Sequence, residues 1–200
     1  MSSIGVVILA AGASTRLGTP KQLLDYQGCS LIRRVATTAI ASLAEPIIVV
    51  LGANAVQIQP ELQDLAIQVV INLQWTDGIS ASIRTGIEAL LAIKPDVGAV
   101  VLLVCDQPFI SSTLINQLIT TYQQAHARII ASAYAGVVGV PALFDHTLFP
   151  ALMSLSGDRG AKQMMQQYNQ FTQTIPYPEA AFDIDTFADY TQLLHATLHH

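Results

Sequence analysis

Charge is scarce in this chain of 200 residues: Asp, Glu, Lys and Arg make up 12% of it, and 9 basic against 14 acidic side chains leave a formal net charge of -5. There is no basic run and no interleaving of basic with aromatic residues. That excludes a groove for a nucleic-acid polymer and leaves room for a small anion held by a few local cations. Cysteine is almost missing, and Cys29 and Cys105 fit no metal-ligand spacing and read as buried free thiols. No apolar run approaches the ~20 residues that cross a bilayer, since the run at 99–105 has a strand's length and stops at Asp106. The opening Met-Ser-Ser-Ile carries no basic segment ahead of an apolar one, so the expected location is cytoplasmic, with no membrane partner.

Two phosphate-binding patterns are also missing. Gly-x-Gly-x-x-Gly and Gly-x-x-x-x-Gly-Lys-Ser/Thr do not occur, because Gly12 is followed by Gly18 and the lysine stands at 21, which takes most of the weight from the dinucleotide-fingerprint and P-loop readings. No Ser-His-Asp or Cys-His arrangement stands out, as His126 and His146 have unremarkable neighbours. His195, His199 and His200 read as a solvated, flexible tail over 195–200. No repeat or low-complexity linker divides the chain, so residues 1–200 are expected to form a single domain, and the 52% hydrophobic content predicts extensive burial.

What is present begins with the apolar run at 4–9, whose length and β-branched content suit a buried strand. It passes directly into Ala10, Ala11, Gly12 and Ala13. Such small residues let a ligand approach the backbone, and inward-turned N–H groups there form an anion-binding nest. Arg16 and Lys21 add two cations from the same segment, and Pro20 restricts the backbone just before the lysine. The sum predicts a polyphosphate site.

Further apolar runs at 47–51, 67–71, 97–104 and 129–133 alternate with helical patterns at 30–42, 80–92, 111–125 and 157–168, which means a parallel sheet covered on both faces. Ser30 is a plausible N-cap, with Leu31, Val35, Thr38 and Ala39 on the buried face. Residues 136–144 read as a glycine-punctuated crossing segment, and 144–152 as a short helix. Asp106 ends the fourth strand, at the edge where open α/β sheets bind ligands; it either holds a divalent cation or caps the helix near Ser111. Asp183 and Asp185 fall on one side of an extended segment and need a cation or partner between them. Thr186 with Asp189 reads as a capping box for the terminal helix. Ser80 and Ser82 either cap a helix or touch a ligand, Trp75 either stacks on a base or packs, and Arg159 either receives an acidic substrate or pairs with Asp158.

The segment Leu9-Ala10-Ala11-Gly12-x-x-x-Arg16-x-Gly18-x-x-Lys21 resembles the first loop of nucleotidyltransferases. Gly52-Ala53-Asn54, Asn72-x-x-Trp75-x-x-Gly78-x-Ser80-x-Ser82, Asp106-Gln107-Pro108, Gly139-x-Pro141, Gly157-Asp158-x-Gly160-Ala161 and Asp183-x-Asp185-Thr186 follow in order. Together they resemble the molybdenum-cofactor cytidylyltransferase family. The resemblance implies an α/β, Rossmann-like nucleotidyltransferase fold, with a mostly parallel, mixed sheet and helices on both faces. It also implies transfer of CMP from CTP to a phosphate-bearing acceptor, molybdopterin with or without molybdenum, releasing pyrophosphate with Mg²⁺ as cofactor. Carried over by position, Leu9, Ala10, Ala11, Gly12, Asn72, Gly78 and Ser82 would contact the nucleotide. Arg16 and Lys21 would meet its phosphates and share catalysis with Asp106; Asp106 and Asp183 would hold the metal, with Asp185 a further ligand. A molybdenum hydroxylase or its maturation factor is the implied protein partner. Leu17 and Ile79 depart mildly from the family pattern and Phe187 replaces its usual Pro, while Val138 and Val140 stand where polar residues are usual in the acceptor-facing segment. The rival readings are a guanylyltransferase or another NTP transferase with a different phosphate acceptor, and a non-catalytic cofactor-delivery protein.

Overall fold

The computed structural model describes residues 3–196, so the expectations for His199 and His200 lie outside the described residues. The chain runs through β1 (Ile4–Ala10), β2 (Asp25–Tyr26), β3 (Cys29–Ser30), α1 (Leu31–Ile40), β4 (Ile47–Leu51), α2 (Ala55–Ile58) and β5 (Gln68–Ile71). It continues with α3 (Ile79–Ile93), β6 (Ala99–Val104), α4 (Ser112–Gln124), β7 (Ile129–Tyr134), β8 (Val137–Asp145), α5 (Phe149–Met153), α6 (Ala161–Gln167), β9 (Thr172–Pro176) and α7 (Phe187–Ala196). Seven strands form one sheet in the order β5-β4-β1-β6-β8-β7-β9, and β2 and β3 form a small hairpin. Every pairing in the large sheet is parallel except those of β8, which runs against β6 and β7. This is the mixed, mostly parallel α/β sheet expected.

β1 is buried along its whole length, which is why its sequence is apolar without alternation. Val6 and Ile8 face a core shared with α1 and α4 through Ile32, Val35, Leu114 and Leu118. Val7 and Leu9 face the second core, made with α3, α5 and α6 through Ile83, Ile87, Leu152 and Met164. A Cβ at Gly86 of α3 would fall 2.4 Å from Val7 Cγ1, so that glycine lets the helix settle directly onto the sheet. Among the described residues, no helix is long and apolar enough to cross a membrane.

Several local expectations need correction. Ser30 does cap α1, its hydroxyl accepting from the Arg33 N–H at 3.4 Å, but the helix ends at Ile40. Its buried face is Leu31, Ile32, Val35, Ala36 and Ala39, with Thr38 only half-buried. Residues 137–145 are a strand, not a crossing segment followed by a helix from 144. Phe144, wholly buried, pairs with Val100, and the helix starts only at Phe149 after a 3-10 turn, His146–Leu148. Pro141 disguises the strand, because proline cannot donate to a ladder. Here a bulge between Ala131 and Ser132 accommodates it, and the Ser132 hydroxyl donates to Pro141 O at 2.7 Å. β9 was not expected at all, since as a polar edge strand it buries only Ile175. Cys105 is buried as expected, which pushes its thiol up to about 12, but Cys29 is only half-buried. The tail expected over 195–200 starts inside α7, which extends through Ala196.

A third apolar cluster joins the hairpin to the C-terminal segment. Tyr26, Leu31, Ile184 and Leu193 are buried together, which returns residues 182–193 to the neighbourhood of the first βα loop.

Candidate active site

The carboxyl ends of β1 and β6 open into a cleft of about 420 Å³, lined by Leu9, Ala10, Ala11, Gly12, Lys21, Gly78, Ser82 and Asp106, together with Gln22, Trp75, Ile79 and Asp158. Its floor is the loop after β1, and that loop is held from beneath. Gln22, 1% exposed, donates its amide N–H groups to Ala10 O and Gly12 O, both at 2.9 Å. Ser14, at φ +56, donates its hydroxyl to Gln22 Oε1 and accepts from the Lys21 N–H at 3.0 Å. With those carbonyls drawn inward, the N–H groups of Gly12 and Ala13 have no protein acceptor among the described residues, the condition an anion-binding loop requires. Gln22 was missed by sequence reasoning, and its only signal was an amide directly after the lysine.

Gly52 lets the neighbouring loop press in. A Cβ there would fall 2.6 Å from Ala11 O and 2.8 Å from Trp75 Cβ. Trp75, half-buried, both packs on the second core and lines the cleft. Gly78 has φ +91, and a Cβ on it would fall 2.5 Å from the Gly157 carbonyl and 2.7 Å from Asp158 Oδ1. Only glycine suits that backbone, and the Ser80 N–H beyond it donates to Gly157 O.

The alternatives left open by the sequence separate here. Ser82 caps nothing: it is buried and accepts from Asn72 Nδ2 at 3.0 Å, while Asn72 Oδ1 accepts from the Gln74 N–H at 2.9 Å. Asn72 therefore stands behind the cleft wall and meets the cleft only through its hydrogen bond to Ser82 among the described residues. Asp106 is no helix cap either, because the Ser111 hydroxyl accepts from the Leu114 N–H and caps α4 itself. Arg159 is exposed and makes no ion pair with Asp158 among the described residues.

Lys21 gathers the acids. Its Nζ donates to Asp106 Oδ2 at 2.6 Å, Asp185 Oδ1 at 3.1 Å and Ile184 O at 3.2 Å, and Arg16 Nη2 reaches Asp185 Oδ2 at 2.9 Å. Burial works against the lysine's charge, but the Asp106 and Asp185 carboxylates outweigh it and hold its pKa above the ordinary value. For Asp185, burial pulls upward, yet the Lys21 hydrogen bond and the Lys21 and Arg16 charges keep it below the usual carboxylate range. Asp189 fixes that turn by accepting from the Thr186 N–H at 2.7 Å, the Thr186 hydroxyl at 2.8 Å and the Asp185 N–H at 3.1 Å. Arg16 is 69% exposed and joins the cluster only through Asp185.

Asp183 has a different environment. Burial and the charges of Asp106 and Asp185 raise its pKa, and Lys21 offsets them only weakly. Among the described residues no group of three or more Asp, Glu, His or Cys side chains is arranged to hold a metal. Both Asp185 oxygens already face cations, whereas Asp183 makes no ion pair among the described residues and feels the charge of Asp106. One or two carboxylates completed by phosphate oxygens and water suit Mg²⁺ chemistry, so the residues present fit the ion.

The MobA-like NTP transferase domain matches residues 6–171. Nicotine blue oxidoreductase of Paenarthrobacter nicotinovorans is 31% identical over 199 residues, covering 94% of this chain and 95% of that protein. A probable molybdenum cofactor guanylyltransferase of Bacillus cytotoxicus is 30% identical over 122 residues, 59% of this chain and 56% of its own. Among solved structures, Rv0371c of Mycobacterium tuberculosis superposes with TM-score 0.81 at 30% identity over 97% of this chain and 98% of its own. Its complex with manganese gives TM-score 0.78 at 26% identity over the same shares. With the small-residue loop after β1 and the distant acids gathered at Lys21, and with that match across most of its length, the chain belongs to the MobA-like NTP transferase family of nucleotidyltransferases.

Proposed function

We propose that the cleft binds CTP and transfers CMP to a phosphate-bearing small molecule, molybdopterin or its molybdenum-loaded form, releasing pyrophosphate in a Mg²⁺-dependent reaction. The observation that carries this reading is Lys21. One ammonium at the mouth of an unsatisfied N–H loop binds one carboxylate from the end of β6 and one from the C-terminal segment, a charge arrangement that suits a metal-bound polyphosphate rather than a neutral substrate.

The chemistry needs no protein nucleophile. A phosphate monoester, with its second pKa near ~6, is largely a dianion at neutral pH. Its oxygen attacks the α-phosphorus; a P–O bond forms there as the bond to the bridging oxygen breaks, and pyrophosphate leaves with the electron pair. The protein's part is alignment and charge compensation. The loop N–H groups at 12–13 and Lys21 receive phosphate oxygens, Arg16 adds charge at the rim, and Ser82, held by Asn72, faces the nucleoside side with Gly78. Asp106 and Asp183 would hold Mg²⁺, which would supply further neutralisation of the phosphates.

Thermal unfolding with CTP, GTP, UTP and ATP in Mg²⁺ tests the donor, because a ligand at 100 times its Kd adds about 2.7 kcal/mol to stability. The expected result is a shift with CTP alone. A shift with GTP alone would replace the reading by guanylyltransfer, the activity in the name of the Bacillus relative. Pyrophosphate release with and without molybdopterin then tests the acceptor. The relative named as an oxidoreductase matches 94% of this chain, which favours a second reading in which the same cleft holds a redox nucleotide. Stabilisation by reduced nicotinamide dinucleotide and none by any NTP would establish that reading instead.

A further inference from the structure

Asn72 follows β5 directly and is 2% exposed. Its own N–H donates to Leu51 O at 2.8 Å, which ties the residue to the end of β4. One contact decides which way its amide is turned. A backbone N–H can only donate, so the atom that meets the Gln74 N–H at 2.9 Å is the Asn72 oxygen, and the nitrogen is left to face Ser82 Oγ at 3.0 Å. An amide nitrogen carries protons and accepts nothing. The Ser82 oxygen therefore accepts, and its own proton must point elsewhere. No protein group takes that proton among the described residues, and the open space beside Ser82 is the cleft it lines. The cleft wall thus carries a hydroxyl of fixed polarity, a donor.

Charge says which part of a nucleotide meets it. The cations Arg16 and Lys21 and the free N–H groups at 12–13 belong to the loop after β1. Around Ser82 the wall is Trp75, Gly78 and Ile79, all uncharged, and Asp158, whose Oδ1 would fall 2.7 Å from a Cβ on Gly78. A carboxylate there repels phosphate, so the neutral base belongs on this side. Cytosine shows two adjacent acceptors along one edge, O2 and N3. The corresponding edge of guanine shows N–H donors at N1 and N2, and a donor set against donors leaves the hydroxyl proton unpaired inside the cleft.

We propose that Asn72 is a positioning residue for base selection: by making the Ser82 oxygen an acceptor, it turns the Ser82 proton toward the O2 and N3 edge of cytosine and against the N–H edge of guanine. This inference rests on the CTP reading above and names the pair of residues that sets its choice of base.

The test is the Kd of CTP and of GTP with Mg²⁺, measured by isothermal titration calorimetry on the full chain at pH 8, for wild type, Ser82→Ala and Asn72→Asp. Asn72→Asp keeps the shape of the side chain. Its carboxylate still accepts from the Gln74 N–H but has no proton for Ser82, so the hydroxyl turns round and shows a lone pair to the cleft. Ser82→Ala is expected to weaken CTP binding about tenfold and to leave GTP binding nearly unchanged. Asn72→Asp is expected to lower the preference for CTP over GTP by at least as much, because GTP gains what CTP loses. A purely structural role would weaken both nucleotides together. An unchanged CTP-to-GTP ratio in either variant, through equal loss or no loss, therefore overturns the inference and leaves the functional reading standing. A wild type that prefers GTP, or that binds neither nucleotide, overturns both. If Asn72→Asp does not fold, the ratio in Ser82→Ala decides.

Discussion

Lys21 is a lysine whose donors are all committed to two carboxylates and a carbonyl, so removing it has two consequences of different kinds. In Lys21→Ala the phosphates lose a charge contact, and nucleotidyl transfer is expected to fall about 10²–10³-fold in a pyrophosphate-release assay. The acids also lose their counter-ion. Thermal unfolding at pH 7 should show Lys21→Ala less stable than wild type, with added Mg²⁺ recovering part of the loss. Lys21→Arg is not expected to restore turnover, because a planar fork cannot replace a compact ammonium between three acceptors. Lys21 and Asp106 stood out in the sequence, as charges next to small-residue loops and at a strand's end do. Gln22 did not, because a buried amide and an exposed one look alike until the two carbonyls it satisfies are known. Gln22→Ala leaves the carbonyls of Ala10 and Gly12 unpaired beneath the loop and is expected to cost about 1–3 kcal/mol in urea unfolding, with weaker nucleotide binding.

At the scale of elements, the strongly patterned pieces were legible. β1, β4 and β6 are buried on both faces and read as unbroken apolar runs, and α1 announces its start through Ser30. Where burial, rather than pattern, decides, the reading failed. Phe144 follows Gly139 and Pro141, both of which argue locally against a strand, yet its pairing with Val100 at the centre of the sheet overrides them. β9 pairs with β7 through a backbone whose side chains are mostly polar, and an edge strand of that kind leaves no hydrophobic period to detect. The packing of α3 on β1 gives a check on the element geometry. Gly86→Ala places a methyl against Val7 in a filled core and is expected to lower stability by about 1–3 kcal/mol, measured by denaturant unfolding, although alanine is the better helix former.

For the molecule as a whole, the site exists because the C-terminal segment returns to the first loop. Leu193 is wholly buried with Tyr26, Leu31 and Ile184, so Leu193→Ala should cost about 2–5 kcal/mol in urea unfolding and, by loosening the segment that carries Asp183 and Asp185, should also reduce pyrophosphate release. The acids also set the pH dependence. Asp64, held to about 2 by its Arg33 hydrogen bonds, and Asp185 and Asp189, held down by their own partners, stay ionised in the folded chain below the ordinary 3.8. The unfolded chain binds more protons in that window, so stability should fall as pH drops from about 4 to about 2. Asp183 has the opposite sign: its folded pKa is raised, so ionising it as pH rises opposes folding. A divalent ion there reverses that effect, and the Mg²⁺-induced rise in unfolding temperature is expected to be larger at pH 7 than at pH 4. By itself the sequence determined the α/β alternation, the small-residue loop after β1 and the charged residues beside it, because each rests on local periodicity, backbone freedom or charge within a short stretch. Only the tertiary structure decided that Asp185, not Asp183, is neutralised by Lys21 and Arg16, that Ser82 answers to Asn72, and that residues 137–145 run against their neighbours in the seven-stranded sheet. The first depends on groups that meet across 164 residues, and all three on burial and pairing partners that outweigh any preference encoded nearby.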